Sequence, residues 1–367
     1  VKRVSSGDGK RVSGHFTQGP TPATSLPPQL PYPDGWFAVA FTPELTPGTV
    51  LTRPLQGEDV VLYRLRDGRL RAVRPHCPHL GAHLGRGTVE GDDLVCPFHR
   101  FAFGPDGRCT RTSYGTPPPA AAVTHLAVRE ANDTVFVWRH HDGRAPFWEL
   151  PDWHMLGDLP SHCDTWEMPG HAQDAVENAV DFGHFTALHR WSDSQRAVPV
   201  DFDGRAFRLS MRTRERVPLF GEVALEVDVE ACGLSRLHVC TRMPRLGLRT
   251  CAMIAPTMIA PSRFQVRQTI RIAAAEPARL PAPLARWVSR TAARLLRGPA
   301  IRANAAFVAE DFPIWDSKRY VSPPRLAQGD GPVGPFRRWT RQFYPPDAVG
   351  VPAPQSGAAR PESEVTA

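Results

Sequence analysis

The chain has no run of about 18 apolar residues, the least that crosses a bilayer as a helix. The closest stretch, Cys251 to Ala260, is short and interrupted by Pro256. The N-terminus carries no apolar core of a secretory signal. The expectation is therefore a soluble, cytoplasmic protein without a membrane span. No glycine-rich nucleotide-binding fingerprint is present, so a nicotinamide cofactor has no evident site here. Cysteine is sparse and odd in number, seven in 367 residues. Cys109, Cys163, Cys232, Cys240 and Cys251 show no paired framework and read as small core residues of a reducing compartment. The net charge is +7, mostly from arginine, but the arginines are scattered and form no nucleic-acid-binding run. No internal repeat is visible. Residues 1–34 and 345–367 are rich in small residues and proline and read as flexible tails.

What the chain does have is Cys77-Pro-His79, sixteen intervening residues, then Cys96-Pro-Phe-His99. Each short stretch offers one thiolate and one imidazole. Two thiolates suit one iron of a two-iron, two-sulfur cluster, and two neutral imidazoles suit the other. Exchanging two thiolates for histidines raises the potential of such a cluster. Zinc is the alternative, but zinc fingers usually pair Cys with Cys and His with His. Gly81, Gly85 and Gly87 allow tight bending, and Pro78 and Pro97 stiffen the loops. His76 and His83 lack the C-x-H spacing and are expected not to be ligands. Arg74, Arg86, Arg100, Arg108 and Arg111 lie nearby in sequence and suggest a docking face for an acidic electron donor.

A second constellation runs from Glu177 to His189, with Asn178, Asp181, His184 and His189. A mononuclear ferrous site needs two imidazoles and one carboxylate on one side of the metal. His184 and His189 are five apart, about 140° on a regular helix, so a π-type or unwound turn is required to bring them together. Asp181 shares the His184 face. The third ligand has to come from elsewhere. Glu310 and Asp311 are both candidates, and the residues alone do not separate them.

Around these motifs, residues 35–140 read as an all-β unit. One hairpin turns at Asp67-Gly68 and another at Asn132-Asp133. Residues 141–165 bridge two regions. A helix is expected from near Gln173 towards His189. Alternating apolar positions from 200 to 274 predict an antiparallel sheet. Residues 282–318 return to a helical pattern, broken near Gly298-Pro299.

Taken together, residues 35–344 resemble the oxygenase component of Rieske non-haem iron oxygenases, nearest to the branch of 3-ketosteroid 9α-hydroxylases and cholesterol 7-desaturases. The likeness rests on Cys77 to His99, on Asn178, Asp181, His184 and His189, and on Glu310-Asp311-Phe-Pro-Ile-Trp315 with Gly331 to Tyr344. It implies an α+β chain: an N-terminal all-β Rieske domain (35–145), then a helix-grip catalytic domain (146–344) whose antiparallel sheet carries helices on one face. Cys77, His79, Cys96 and His99 would hold the [2Fe-2S] cluster. His184, His189 and Asp311 would hold mononuclear Fe(II), with Asn178 beside them. Asp181 would bridge cluster and iron across subunits of a homotrimer, binding a cluster histidine of one chain and His184 of its own. Oxygen would be co-substrate. NAD(P)H electrons would arrive through a separate flavin reductase, with or without a ferredoxin. The implied activity is hydroxylation or desaturation of an apolar, steroid-like small molecule. Oxidative cyclisation of another metabolite is the alternative outcome, and a plain Rieske electron-transfer protein is the alternative class.

Overall fold

A computed structural model describes residues 2–3, 30–156, 159, 161–196, 199–217, 220–276 and 280–346. The short strand β1 (Lys2–Arg3) pairs at the edge of the larger sheet described below. Most of the expected tails lie outside the described residues. Residues 30–34, expected to be tail, are instead tied down: His171 bonds the Pro31 carbonyl, and the Asp34 amide donates to Phe343.

The N-terminal unit is all β, as its hairpin signals predict. Its strands are β2 (Gly35–Phe41), β3 (Val50–Leu55), β4 (Glu58–Arg64), β5 (Leu70–Val73), β6 (Thr88–Glu90), β7 (Asp93–Val95), β8 (Ala102–Phe103), β9 (Cys109–Arg111), β10 (His125–Leu126), β11 (Val128–Ala131) and β12 (Thr134–Arg139). They form three small sheets ordered β10-β5-β4-β3, β11-β12-β2 and β6-β7-β8-β9. Asn132 and Asp133 both take left-handed φ between β11 and β12, the geometry of a type I′ hairpin.

The second unit is an antiparallel sheet with few helices. It comprises β13 (His162–Pro169), α1 (Ala172–Glu177), α2 (Phe182–Ala187), β14 (Ser192–Arg196), β15 (Asp201–Asp203), β16 (Ala206–Val217), β17 (Gly221–Cys232), β18 (Leu237–Met243), β19 (Leu248–Ala260), β20 (Arg263–Ala274), α3 (Ala282–Ser317) and α4 (Val333–Thr340). The strand order is β1-β13-β20-β19-β18-β17-β16-β14, with β15 also on β16. Pleating separates the two faces. On one face, Trp166, Phe264 and Val266 pack against Phe312 and Trp315 of α3, and Phe207 against Phe336 and Trp339 of α4. On the other, Cys251, Met253 and Ala255 pack against Trp36, Phe136 and Trp138 of the first unit. The Thr257 hydroxyl and the buried Arg267 guanidinium both donate to the Ala38 carbonyl across that junction, at 2.9 and 3.0 Å.

The Cys251–Ala260 stretch is the central strand β19 of the expected sheet, with Pro256 inside it. Three expectations change. The bridge region contains β13, paired along its length with β20. The helix expected from Gln173 to His189 is two short helices, parted at residues 178–181. Finally, α3 is continuous through Gly298, Pro299 and Pro313. Pro299 has no amide hydrogen to donate to the carbonyl one turn earlier, at the exposed Leu295. Cys240 and Cys251 are also not separate thiols. The β18–β19 register sets them directly opposite, with Cα atoms 4.2 Å apart, and they form a disulfide.

Two candidate metal centres

The Cys77–His79 loop joins β5 to β6, and the Cys96–His99 loop joins β7 to β8. The two repeat one backbone pattern. The Cys77 amide donates to the Ala82 carbonyl and the Gly81 amide to the Cys77 carbonyl, both at 2.9 Å. In the second loop the Cys96 amide donates to Phe101 at 2.8 Å and the Arg100 amide to Cys96 at 3.2 Å. The fourth residue after each cysteine is left-handed: Gly81 at φ +76° and Arg100 at φ +56°. Gly87 is needed for close approach, because a Cβ there would sit 2.4 Å from the Val95 carbonyl oxygen.

This paired geometry brings all four side chains to one tip. Cys77 and Cys96 are buried free thiols in one cluster of side chains. Burial, reinforced by the neighbouring Cys96, pushes the Cys77 thiol up to about 11 in the metal-free chain. The His79 and His99 rings lie 4.8 Å apart, and His79 stacks on Phe101 at 4.2 Å. The other loop histidines serve the loop itself. His83 Nδ1 accepts from the Gly85 amide and its Nε2 meets Asp59, while His76 Nδ1 meets the Gly81 carbonyl. Leu80, Phe98 and Tyr114 are exposed around the tip. The nearby arginines are largely matched by acids: Arg100 and Arg111 with Glu90, Arg74 with Glu58 and Arg108 with Asp106. They offer less free positive charge than the sequence suggests.

The second centre forms where α2 ends against α3. Asp181 caps α2, its carboxylate accepting from the His184 amide at 3.4 Å. The His184 ring is held from the same residue, but by the Asp181 main-chain carbonyl at Nδ1. The side-chain bond to the His184 ring that the resemblance implies is replaced by this backbone one. At the end of α2 the His184 carbonyl accepts from the Leu188 amide at 2.8 Å, an ordinary helical bond, and also from the His189 amide at 3.4 Å, a wider π-type closure that spans the five-residue spacing. Arg190 then turns left-handed at φ +59° and ends the helix.

Those turns set the His184 and His189 rings 5.1 Å apart. With Asp311 they offer three donor atoms within 4.8 Å of one another. The His189 Nε2 is buried, has no hydrogen-bond partner, and lies 3.5 Å from Asp311 Oδ2. An orphaned imidazole nitrogen beside a carboxylate and a second imidazole fits a cation better than it fits a packed core. Glu310 and Asp311 divide the work: Glu310 Oε2 accepts from His189 Nδ1 at 2.9 Å, which leaves Nε2 for the metal. Asn178 Nδ2 donates to Asp311 Oδ1 at 2.9 Å and leaves Oδ2 facing the site. Burial pulls the His189 imidazolium down, but Asp311 and Glu310 together outweigh it and hold its pKa above the usual value. Burial keeps His184 below it. The aromatic wall was not foreseen: Phe307 stacks on His189 at 3.8 Å, and Trp191 stacks on Phe185 at 4.8 Å. Its one sequence signal is that Phe307 lies a helical turn before Asp311.

The Rieske [2Fe-2S] domain matches residues 35–126, and the 3-ketosteroid 9alpha-hydroxylase C-terminal domain matches residues 137–344. Cholesterol 7-desaturase nvd of Bombyx mori is 30% identical over 334 residues, covering 88% of this chain and 71% of that protein. A probable 3-ketosteroid-9-alpha-monooxygenase oxygenase component of Rhodococcus rhodochrous is 28% identical, over 87% and 81% of the two chains. Among solved structures, dicamba monooxygenase bound to dicamba superposes with a TM-score of 0.59 at 17% identity, over 84% of this chain and 96% of that one. NdmA of Pseudomonas putida CBB5 with caffeine gives 0.60 at 19%, over 83% and 89%. These last two share the fold.

Proposed function

The chain belongs to the Rieske oxygenases that carry the 3-ketosteroid 9α-hydroxylase C-terminal domain, and on that premise we propose that it is a terminal oxygenase acting on an apolar, steroid-like molecule. Residues 35–145 form the cluster unit and 146–344 the iron unit. The observation that carries the reading is the trio His184, His189 and Asp311, with the orphaned Nε2 of His189 turned into it. When bound, a [2Fe-2S] cluster at Cys77, His79, Cys96 and His99 and a ferrous ion at the trio supply electron delivery and oxygen activation at a C–H bond.

The protein's own part is positional. Glu310 keeps the proton of His189 on Nδ1 and the ring in one orientation. Asn178 fixes the Asp311 carboxylate, and the Asp181 carbonyl fixes His184. Phe185, Trp191 and Phe307 screen the site from water and present an apolar wall. Such a wall favours a hydrophobic polycycle over a charged substrate. The electrons come from NAD(P)H through a separate reductase, with or without a ferredoxin. They cross between subunits of a homotrimer at Asp181. Hydroxylation and desaturation share the first hydrogen abstraction, and the position in which the site holds the substrate decides between them.

The test is turnover by the iron- and cluster-loaded protein with a ferredoxin, its reductase and NADH. A panel of steroids is supplied under isotopically labelled oxygen, and product masses are read. A gain of one labelled oxygen or a loss of two hydrogens is expected. Fully loaded protein that leaves every steroid unchanged and accepts only small polar aromatics would reject the substrate class.

A further inference from the structure

Far from both metal centres in sequence, the first half of α3 has a composition that neither of them explains. From Ala282 to Ala309 there is no acidic residue, while arginine stands at 286, 290, 294, 297 and 302. The helix lies on the sheet by a narrow face, through Ala285 and Ala293 and the Ser289 hydroxyl on the Ala274 carbonyl. Its outer face is apolar where water should favour polar residues. Trp287 is 63% exposed, Leu295 74% and Leu284 45%. At about 100° per residue, Leu284, Trp287, Thr291 and Leu295 share one stripe, and Arg286, Arg290 and Arg294 form a second stripe beside it. A Trp and two Leu exposed next to an unopposed row of arginines is the pattern of a helix lying in a membrane interface. No described helix is long and apolar enough to cross a membrane, so the contact is with a surface.

We propose that this face of α3 docks the protein on an anionic phospholipid surface, with Leu284, Trp287 and Leu295 entering the acyl boundary and the arginines meeting headgroup phosphates. Charge selects the occupant. A second copy packed two-fold on this stripe would bring two rows of Arg286, Arg290 and Arg294 together, and α3 offers no acid before Glu310 to separate them; a head-to-tail neighbour, as in a trimer, would have to meet the arginines with acids from another face, and the oligomeric-mass arm of the test reads that case. An anionic lipid surface supplies the missing negative charge and the apolar layer at once. The inference goes beyond the proposed oxygenase reading and does not depend on it. An apolar substrate dissolved in lipid would nonetheless be met at the surface where this helix binds.

The test is co-sedimentation of the metal-loaded protein with vesicles of phosphatidylcholine alone or with about a third phosphatidylglycerol. It reads no turnover, so it can fail without touching the oxygenase reading. Binding to the anionic vesicles is expected, weakened by added salt. Trp287→Glu with Leu295→Glu should lower that affinity about tenfold or more. Replacing Arg286, Arg290 and Arg294 by Gln should abolish the preference for anionic lipid. Both variants should keep the cluster's visible absorbance and the helical circular dichroism. Absence of binding to either vesicle would overturn the proposal, as would binding that the variants leave unchanged. A Trp287→Glu, Leu295→Glu protein that ignores vesicles as the parent does, but changes oligomeric mass, would assign the face to another copy of the chain and would also overturn it.

Discussion

Two carboxylates next to each other in sequence reach opposite nitrogens of one imidazole: Glu310 takes His189 Nδ1 and Asp311 faces Nε2. Glu310→Ala should therefore leave the ligands in place but free the ring to turn and change tautomer. Loss of such a partner typically costs 10–100-fold, roughly, in metal affinity or activity. Competition with a ferrous chelator would measure it, and unchanged affinity would count against the orienting role. Asn178→Ala should give a smaller loss of the same kind, because Asp311 keeps its backbone position on α3. His184→Ala should lose the mononuclear iron and keep the cluster spectrum; iron retained at the second centre would remove His184 from the ligand set. At this scale the sequence was legible wherever spacing is local. The C-x-H and C-x-x-H loops place neighbouring thiols and rings together, with Cys77 and Cys96 in one cluster and the His79 and His99 rings 4.8 Å apart. The division of labour between Glu310 and Asp311 was not legible, because adjacent residues point about 100° apart on a helix and only the packed partner tells which one faces the site.

Among the elements, the end of α2 matters most to the site. Its π-type closure, from the His189 amide to the His184 carbonyl, brings together two histidines that a regular helix would part. Inserting one alanine after Ala187 should carry His189 one residue past this closure and turn it away by about 100°. The expected outcome is loss of the mononuclear iron with the cluster retained, measured by metal analysis and visible absorbance. The need for such a turn could be read from the five-residue spacing. Other elements could not be read so. The alternation from 200 to 274 predicts the sheet but not its strand order, in which β19 lies between β18 and β20 with even and odd residues buried on both faces. The Cys240–Cys251 pair depends on strand register, which eleven residues of separation do not reveal. The helix break expected at Gly298-Pro299 is absent because packing of α3 on β20 and β13 overrides local propensity.

Across the whole molecule, a buried ion network ties the iron-bearing layer together. Glu177, buried at the end of α1, bonds Arg337 of α4 and Lys318 at the end of α3, both half-buried. Burial raises the Glu177 carboxyl, but Arg337 and Lys318 outweigh it and hold its pKa below the usual glutamate value. A lowered carboxyl stabilises the fold above its unfolded pKa, near 4.3, and that contribution disappears as pH falls through the folded value. Thermal melts should show an acid-side loss that Glu177→Gln removes. The variant should also melt well below the parent at neutral pH, since breaking a buried pair costs about 3–5 kcal/mol. A Glu177→Gln protein as stable as the parent would show that the network contributes nothing. The all-β first unit was legible from its hairpin signals and the second sheet from the alternation after residue 200, while the two-unit α+β plan came from the family resemblance. The face on which the first unit seats was not, because Trp36, Trp138 and Cys251 meet only through tertiary contact.

The central claim of the proposed function is that the cluster feeds the iron through Asp181. The direct measurement uses protein loaded with both metals and chemically prereduced, then mixed with oxygen and substrate without an external donor. The paramagnetic resonance of the reduced cluster is followed alongside product. In the parent the signal should decay in step with product formation. In Asp181→Asn, with both metals retained, it should persist and product should be absent. Decay and product at the parental rate in Asp181→Asn would contradict the account.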